Sequence, residues 1–435
     1  MRKWLLAIWT LCLAPNLAQS AEFTISPGFN VNADGLFWVM FGHSDQDAKL
    51  PDGVAAKREN AVARADLRFN PEYTFLSGLQ LGGVFAVDVT NRDNRVFTGQ
   101  SLTPLSGAMT PYVDSQYLYL QAKYGRFVAG QVYGVGDSTA IVAPVSNLIS
   151  GINQSAMGVA FESNPAAQEV VGASGALAPH YAGRPFTTTT DFMDDAPKVM
   201  YFTPRLVGVT VGLSYTPIAD PNGYGRSAAI QRFNYLNAGG QPNPVKDAVR
   251  DATEFGISYD HAIAGVGITG AATYAIANDP LHSASREDTT AWNLGVNFAM
   301  GDLTLGGSYG AIQGAILGRA FDPTSALSMN LTQGHKIEQY SYDLGGTYAL
   351  SNWTLGVNYA YGEAKIPAVI SGNPGLMFRT PNTYGTEFSV DYNLLKGLNI
   401  ISAVQLINYE AGNLPGEQFP NRSATNILLG TQLKF

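Results

Sequence analysis

Along nearly the whole chain, apolar and small polar side chains alternate with a period of two residues, and this constrains the fold more than any other feature. From 353 to 361, Trp353, Leu355, Val357, Tyr359 and Tyr361 share one face, and Thr354, Gly356, Asn358 and Ala360 share the other. Leu303, Leu305 and Tyr309 stand opposite Thr304, Gly306 and Ser308 in the same way, and Phe388 and Val390 stand opposite Glu387, Ser389 and Asp391. A period of two is the signature of extended strands with two unlike faces. The polar face carries Gly, Ser, Thr and Asn rather than Lys and Glu, which suits a water-filled lumen better than a solvated protein surface. Charged residues are only 14% of the chain, against about a quarter in soluble domains. No apolar run of about 18 residues follows the first twenty, which excludes a bundle of membrane-spanning helices.

The alternation divides into sixteen strands, at 34–46, 60–75, 80–91, 114–123, 126–136, 197–203, 208–216, 252–262, 266–277, 289–299, 303–315, 336–349, 353–364, 383–393, 398–409 and 423–435. Links between them alternate between short and long. Tyr124-Gly125, Ala264-Gly265, Ser351-Asn352 and Lys396-Gly397 are short; 92–113, 137–196, 217–251, 316–335 and 365–382 are long. Short turns at one end and long loops at the other, with an even strand number, predict an all-β fold: a sixteen-stranded antiparallel transmembrane β-barrel. A closed barrel also leaves no unpaired backbone edge in lipid.

Residues 1–20 have the form of a secretory signal peptide, with Arg2 and Lys3 ahead of a short apolar segment and Ala18-Gln19-Ser20 before a cut at Ala21. The barrel is then expected to span 21–435. Cys12 lies inside the leader, so the mature chain has neither a disulfide nor a thiolate metal site. Losing Arg2 and Lys3 leaves 24 basic and 34 acidic residues, a net of −10, which argues against nucleic acid as a partner.

Some segments are similar in their letters to the Gram-negative general porins, the sixteen-stranded trimeric type. These are Tyr124-Gly125-Arg126-Phe127-Val128-Ala129-Gly130-Gln131-Val132-Tyr133-Gly134, Lys198 to Pro204, and Gly208 to Tyr215. The final Phe435, sharing a face with Ile427, Leu429 and Leu433, resembles the signal read by the outer-membrane assembly machinery. The resemblance implies a homotrimer among outer-membrane lipids and lipopolysaccharide, passing small hydrophilic solutes and performing no reaction. It also implies that loop 137–196, after the fifth strand, folds inward as the pore constriction and faces charged wall residues.

On that expectation the acidic loop side is Asp137, Glu162, Asp191, Asp194 and Asp195, with Glu169 also present and Arg184 the only base. Strand parity assigns Arg64, Arg68, Lys198 and Lys123 to the basic wall, and Asp66, Gln121 and Gln131 to the polar wall. Opposed rows of charge set a transverse field that orients polar solutes and disfavours apolar ones. Gln131 and Met200 stand where basic residues occur in some porins, so the basic side is thin and a mild cation preference is expected. Two apolar stretches of the loop, Ala140 to Val145 and Val170 to Ala173, are open to two readings: packing inside the barrel, or contact with a neighbouring subunit. Trp38, Tyr117, Tyr201, Tyr215, Tyr259, Tyr274, Trp292, Phe298, Tyr348 and Trp353 are expected in the aromatic girdles.

Other signals lead elsewhere or nowhere. Gly265-Val266-Gly267-Ile268-Thr269-Gly270 fits a dinucleotide fingerprint, but a strand pattern follows it where a helix is needed. The five histidines lie far apart, without metal-ligand spacing. No cofactor is expected; a structural Ca²⁺ held by Asp191, Asp194 and Asp195 is the one metal reading the residue types allow. A substrate-selective channel, and a non-conducting barrel acting as adhesin or receptor, are the alternatives to a general diffusion pore.

Overall fold

The computed structural model describes residues 21–46, 59–90, 110–153, 188–190, 196–218, 250–278, 288–314, 337–365, 382–410 and 422–435. Its strands are β1 (Ala21–Ser26), β2 (Phe29–Gln46), β3 (Glu59–Thr74), β4 (Gln80–Thr90), β5 (Thr110–Ala122) and β6 (Gly125–Gln131). A short helix α1 (Val135–Thr139) comes next, then β7 (Pro197–Phe202), β8 (Val209–Ile218), β9 (Arg250–Ile263), β10 (Val266–Asn278), β11 (Thr289–Met300) and β12 (Leu303–Gly314). The chain ends with β13 (Ile337–Leu350), β14 (Trp353–Lys365), β15 (Asn382–Leu395), β16 (Leu398–Glu410) and β17 (Arg422–Lys434).

From β2 to β17 each strand pairs antiparallel with the next, and β17 pairs back onto β2, so the sheet closes into a barrel. Seventeen segments fill sixteen positions around this ring. Residues 29–43 of β2 pair with β3 on one edge. The other edge meets β17 at Leu36–Gln46 and β1 at Phe29–Ala33. Thus β1 continues the line of β17 beyond its end, and the extra segment adds no seventeenth strand to the circumference.

Most strand ends fall within about two residues of the sequence expectation, with three differences. The first strand begins at Phe29 and is preceded by β1, a hairpin partner six residues long that was not expected. The fourth begins at Thr110. The strand expected to run to 136 stops at Gln131, because the chain leaves the wall there and turns into α1.

Short turns gather at one end. Two of them place consecutive residues at positive φ, Val207 (50°) with Gly208 (86°) and Ala264 (51°) with Gly265 (82°). This geometry matches the twist of a tight hairpin. At the seam, the Phe435 N–H donates to the Gly35 carbonyl at 3.0 Å, and the Gly35 N–H returns a bond at 2.8 Å. A side chain at Gly35 would collide with the Phe435 ring, so the terminal aromatic lies across a residue that has none.

The outer surface is apolar, as a lipid-facing band requires. Leu118, Leu213, Leu294, Leu344, Val357, Phe388 and Leu429 all point outward and are more than half exposed. Towards the long-loop end, outward rings stack around the barrel: Trp292 on Tyr309 (5.1 Å), Tyr309 on Tyr340 (6.4 Å) and Tyr342 on Tyr361 (5.1 Å). At the short-turn end Trp353 lies 4.3 Å from Tyr392. Two aromatics expected in these girdles sit elsewhere. Trp38 is buried on the inner wall with Met40 and Val62, and Tyr117 packs inward against the cluster of Tyr119, Val128 and Met200.

Candidate functional site in the barrel lumen

After β6 the chain enters the barrel and follows its inner wall. Each step is fixed by an inward-facing residue of a successive strand. The Val135 N–H donates to Ser214 on β8, whose hydroxyl donates to Glu254 on β9. Asn297 on β11 donates to the Val142 carbonyl at 3.0 Å. The Ala143 N–H donates to Asp343 on β13 at 3.2 Å, and Asn153 donates to the same carboxylate at 2.7 Å. Asn147 reaches Asp391 on β15 at 2.6 Å and Gln432 on β17 at 3.1 Å. Gln405 on β16 donates to the Ser150 carbonyl at 2.8 Å. The returning chain is held by Asn293, which donates to the Thr188 carbonyl at 2.9 Å.

This belt lies against the wall closely enough that several strands carry glycine beneath it. A Cβ on Gly256 would sit 2.8 Å from Val135 Cγ1, and one on Gly345 would sit 2.7 Å from the Pro144 carbonyl. On Gly295 and Gly310 it would overlap the carbonyls of Ile141 and Thr188 outright. Alternating glycines therefore do more than widen the lumen: they form the groove in which the belt rests.

Ile149 anchors the far end of the belt in an apolar patch of Trp38, Met40, Val62, Ile401 and Leu428, all inward and nearly inaccessible. The Ala140–Val145 stretch thus packs inside the barrel rather than against another subunit. Val170–Ala173 lies outside the described residues.

The wall from β2 to β7 carries side chains of both charges close together. Arg64 donates from Nε to Asp66 at 2.5 Å and to Asp88 at 2.7 Å, and its Nη2 is 2.7 Å from the second Asp88 oxygen. Asp88 is wholly buried, so this guanidinium is clamped between two carboxylates. One step towards the short turns, Arg68 is exposed and is the register partner of Asp34 on β2. Further down, Tyr119 donates to Glu72 at 2.7 Å, and the Arg126 guanidinium covers the Tyr119 ring at 4.3 Å.

Of the residues expected to form the basic wall, Arg64 and Arg68 share the inward face with Asp66. Lys198 also points inward but is buried, and it donates to the Val132 carbonyl at the base of the belt. Lys123 is misplaced by the expectation. It lies beyond the end of β5 in the turn, exposed, with its ammonium 4.9 Å from the Tyr124 ring. Gln131 is misplaced as well: it pairs with Gln116 at 3.2 Å on the outward face that holds Leu118 and Phe127. Gln121 keeps the inward parity of Tyr119, near the short turns. Asp137 lies in α1. Glu162, Asp191, Asp194 and Asp195, and with the last three the Ca²⁺ reading, fall outside the described residues.

Sequence reasoning missed the role of the acids on the opposite wall. Glu254, Asp343, Glu387 and Asp391 are buried inward-facing carboxylates beneath or beside the belt. Their signal was present, since a charged residue on a strand must avoid the lipid face, but nothing in the strand pattern shows that a loop will cover them.

A closed barrel with an apolar outside, a polar inside and a loop folded into its lumen defines a membrane channel. A family model for the Gram-negative porins matches residues 7–412, and the chain belongs to that family, whose place is the outer membrane. An uncharacterized protein of Rickettsia bellii is 22% identical over 399 residues, covering 81% of this chain and 84% of its own length. Uncharacterized protein RT0064 of Rickettsia typhi is 23% identical over 289 residues, 58% of this chain and 59% of the relative. Among solved structures, the anion-selective porin from Comamonas acidovorans superposes with a TM-score of 0.53 at 12% identity, covering 94% of this chain and 100% of that one. The outer membrane channel DcaP of Acinetobacter baumannii gives 0.52 at 13% identity, with 95% and 100% covered. At such identities the likeness is one of fold.

Proposed function

We propose that this porin is a passive channel for small hydrophilic solutes and ions, mildly cation-preferring, and that it works as a homotrimer. The observation that carries the selectivity is the count of inward charges among the described strand residues. Among those whose side chains are described, Asp34, Asp66, Glu72, Asp88, Glu254, Asp260, Asp343, Glu387 and Asp391 outnumber Arg64, Arg68, Arg126, Lys198, Arg250 and Lys434. The basic members are also partly committed: Arg64 to two carboxylates and Lys198 to a backbone carbonyl. A low-dielectric wall focuses the residual negative potential along the water path.

Self-association is supported by the outer surface. The outward Tyr and Trp of the long-loop half run from β8 to β15. On β16, β17 and β2–β6 the described outward positions of that half hold none, and they include Ala63, Ala65, Ala129 and the paired Gln116 and Gln131. Small residues and a satisfied amide pair suit contact with protein better than contact with an interface of lipid headgroups.

The experiment is a planar-bilayer recording in a KCl gradient. Conductance steps with a reversal potential of cationic sign are expected. Absence of conductance would overturn the channel reading, and a reversal potential of anionic sign would overturn the selectivity.

A further inference from the structure

The belt carries an apolar tip into the water path. Leu148 is 69% exposed, although both of its neighbours are buried against the wall. Asn147 is bonded to Asp391 and Gln432, and Ile149 is enclosed by Trp38, Met40, Val62, Ile401 and Leu428. With its backbone pinned on either side to inward-facing residues, the Leu148 side chain is left pointing away from the wall. Half-buried Pro144 and Val145 precede it. The charged strip is close by. Trp38, which touches the Ile149 cluster, is the register partner of Arg64, and Leu36 is the partner of Asp66. An exposed aliphatic side chain thus sits next in sequence to Ile149, whose socket residue Trp38 pairs with Arg64 in a strip of alternating Arg and Asp.

Resting on the channel reading above, we propose that Leu148 is a specificity-determining residue, favouring solutes that join an aliphatic group to a zwitterionic or charged head, as aliphatic amino acids do. The head group is matched by paired charges of both signs. The aliphatic group gains by covering Leu148, since apolar surface removed from water is stabilising roughly in proportion to its area. A polar solute of equal size gains only the first contact. Because Leu148 is largely exposed while Asn147 and Ile149 hold the belt to the wall, replacing it leaves the belt's anchors in place.

The test is osmotic swelling of liposomes containing the whole porin, with L-leucine and L-asparagine as solutes of similar shape. KCl conductance of the same preparation is recorded alongside. Leu148→Asn, nearly isosteric, is expected to lower the leucine-to-asparagine rate ratio by about three- to fourfold, the effect of one methylene-sized contact, with KCl conductance kept. An unchanged ratio with normal conductance would overturn the inference and leave the channel reading intact. In Leu148→Ala the ratio is again expected to fall. If both rates rose equally instead, Leu148 would be a mere obstruction and the inference would be wrong. Loss of KCl conductance in the unmutated protein would count against the channel reading itself.

Discussion

Replacing Asp88 with Asn removes one negative charge from the Arg64 clamp and nothing from its shape. In the native wall Arg64 is held by Asp66 and by a wholly buried Asp88 through contacts of 2.5–2.7 Å, so the cluster carries a net charge of −1. In the variant the net charge is zero. An ion passing about 8 Å away in a largely aqueous lumen feels a unit charge as roughly 0.5 kcal/mol before screening. At 0.1 M salt the Debye length of about 10 Å leaves roughly half of that. The effect has opposite sign for cation and anion, so the cation-to-anion permeability ratio should fall by about twofold at 0.1 M. At 1 M the screening length shrinks to about 3 Å and the shift should almost vanish. The assay is the reversal potential in a fixed-ratio KCl gradient at both mean concentrations, with heat-shifted electrophoretic mobility confirming that the barrel is folded. A shift towards anions at low salt only is expected. No shift at low salt, or the same shift at 1 M, would refute the placement of this cluster on the water path.

Further perturbations probe the belt, the turns and the lipid face. Gly295→Ala puts a methyl into the Ile141 carbonyl and should dislodge the belt, changing single-channel conductance while heat stability stays near normal. Gly270→Ala on the outward face meets nothing nearer than 3.6 Å and should leave conductance unchanged. Val207 holds a φ of 50° in a two-residue turn, a conformation that β-branched residues resist. Val207→Asn should therefore raise stability by about 1 kcal/mol in urea titrations. Leu294, outward and 58% exposed on β11, lies six residues from the turn. That places it roughly 14 Å up a tilted strand and near mid-bilayer, so Leu294→Arg should cost about 2–4 kcal/mol in refolding into vesicles.

The ring of strands was legible because its cause is local: each residue's face is set by its parity, and the face determines whether it meets lipid or lumen. Where the cause is long-range, parity misleads. The expected strand runs on through Val132 to Val135, yet the chain leaves the wall after Gln131 and α1 begins at Val135. The same parity drawn one residue too far along β5 put Lys123 in the lumen when it stands in the turn. Trp38 reads as a girdle aromatic, because an aromatic near a strand end usually is one. It is inward because Ile149, more than a hundred residues later, needs an apolar socket. The segment Ala21–Ser26 alternates over only six residues, and the overhanging end of β2 gives it a partner.

The belt also changes what an acidic residue means in this lumen. Charges expected on the loop and bases expected on the wall describe a field across open water. In the described residues the roles are partly reversed: wall carboxylates Asp343 and Asp391 are covered by the loop and accept from its N–H groups and asparagines. Neutral donors bond to these acids without supplying a counter-charge, so a carboxylate ionised there acts as a source of negative potential as well as a fastener. Arg64 shows the opposite case, a base whose charge is cancelled where it stands. On the proposed channel reading, selectivity follows from which wall charges are neutralised by ions and which only by dipoles.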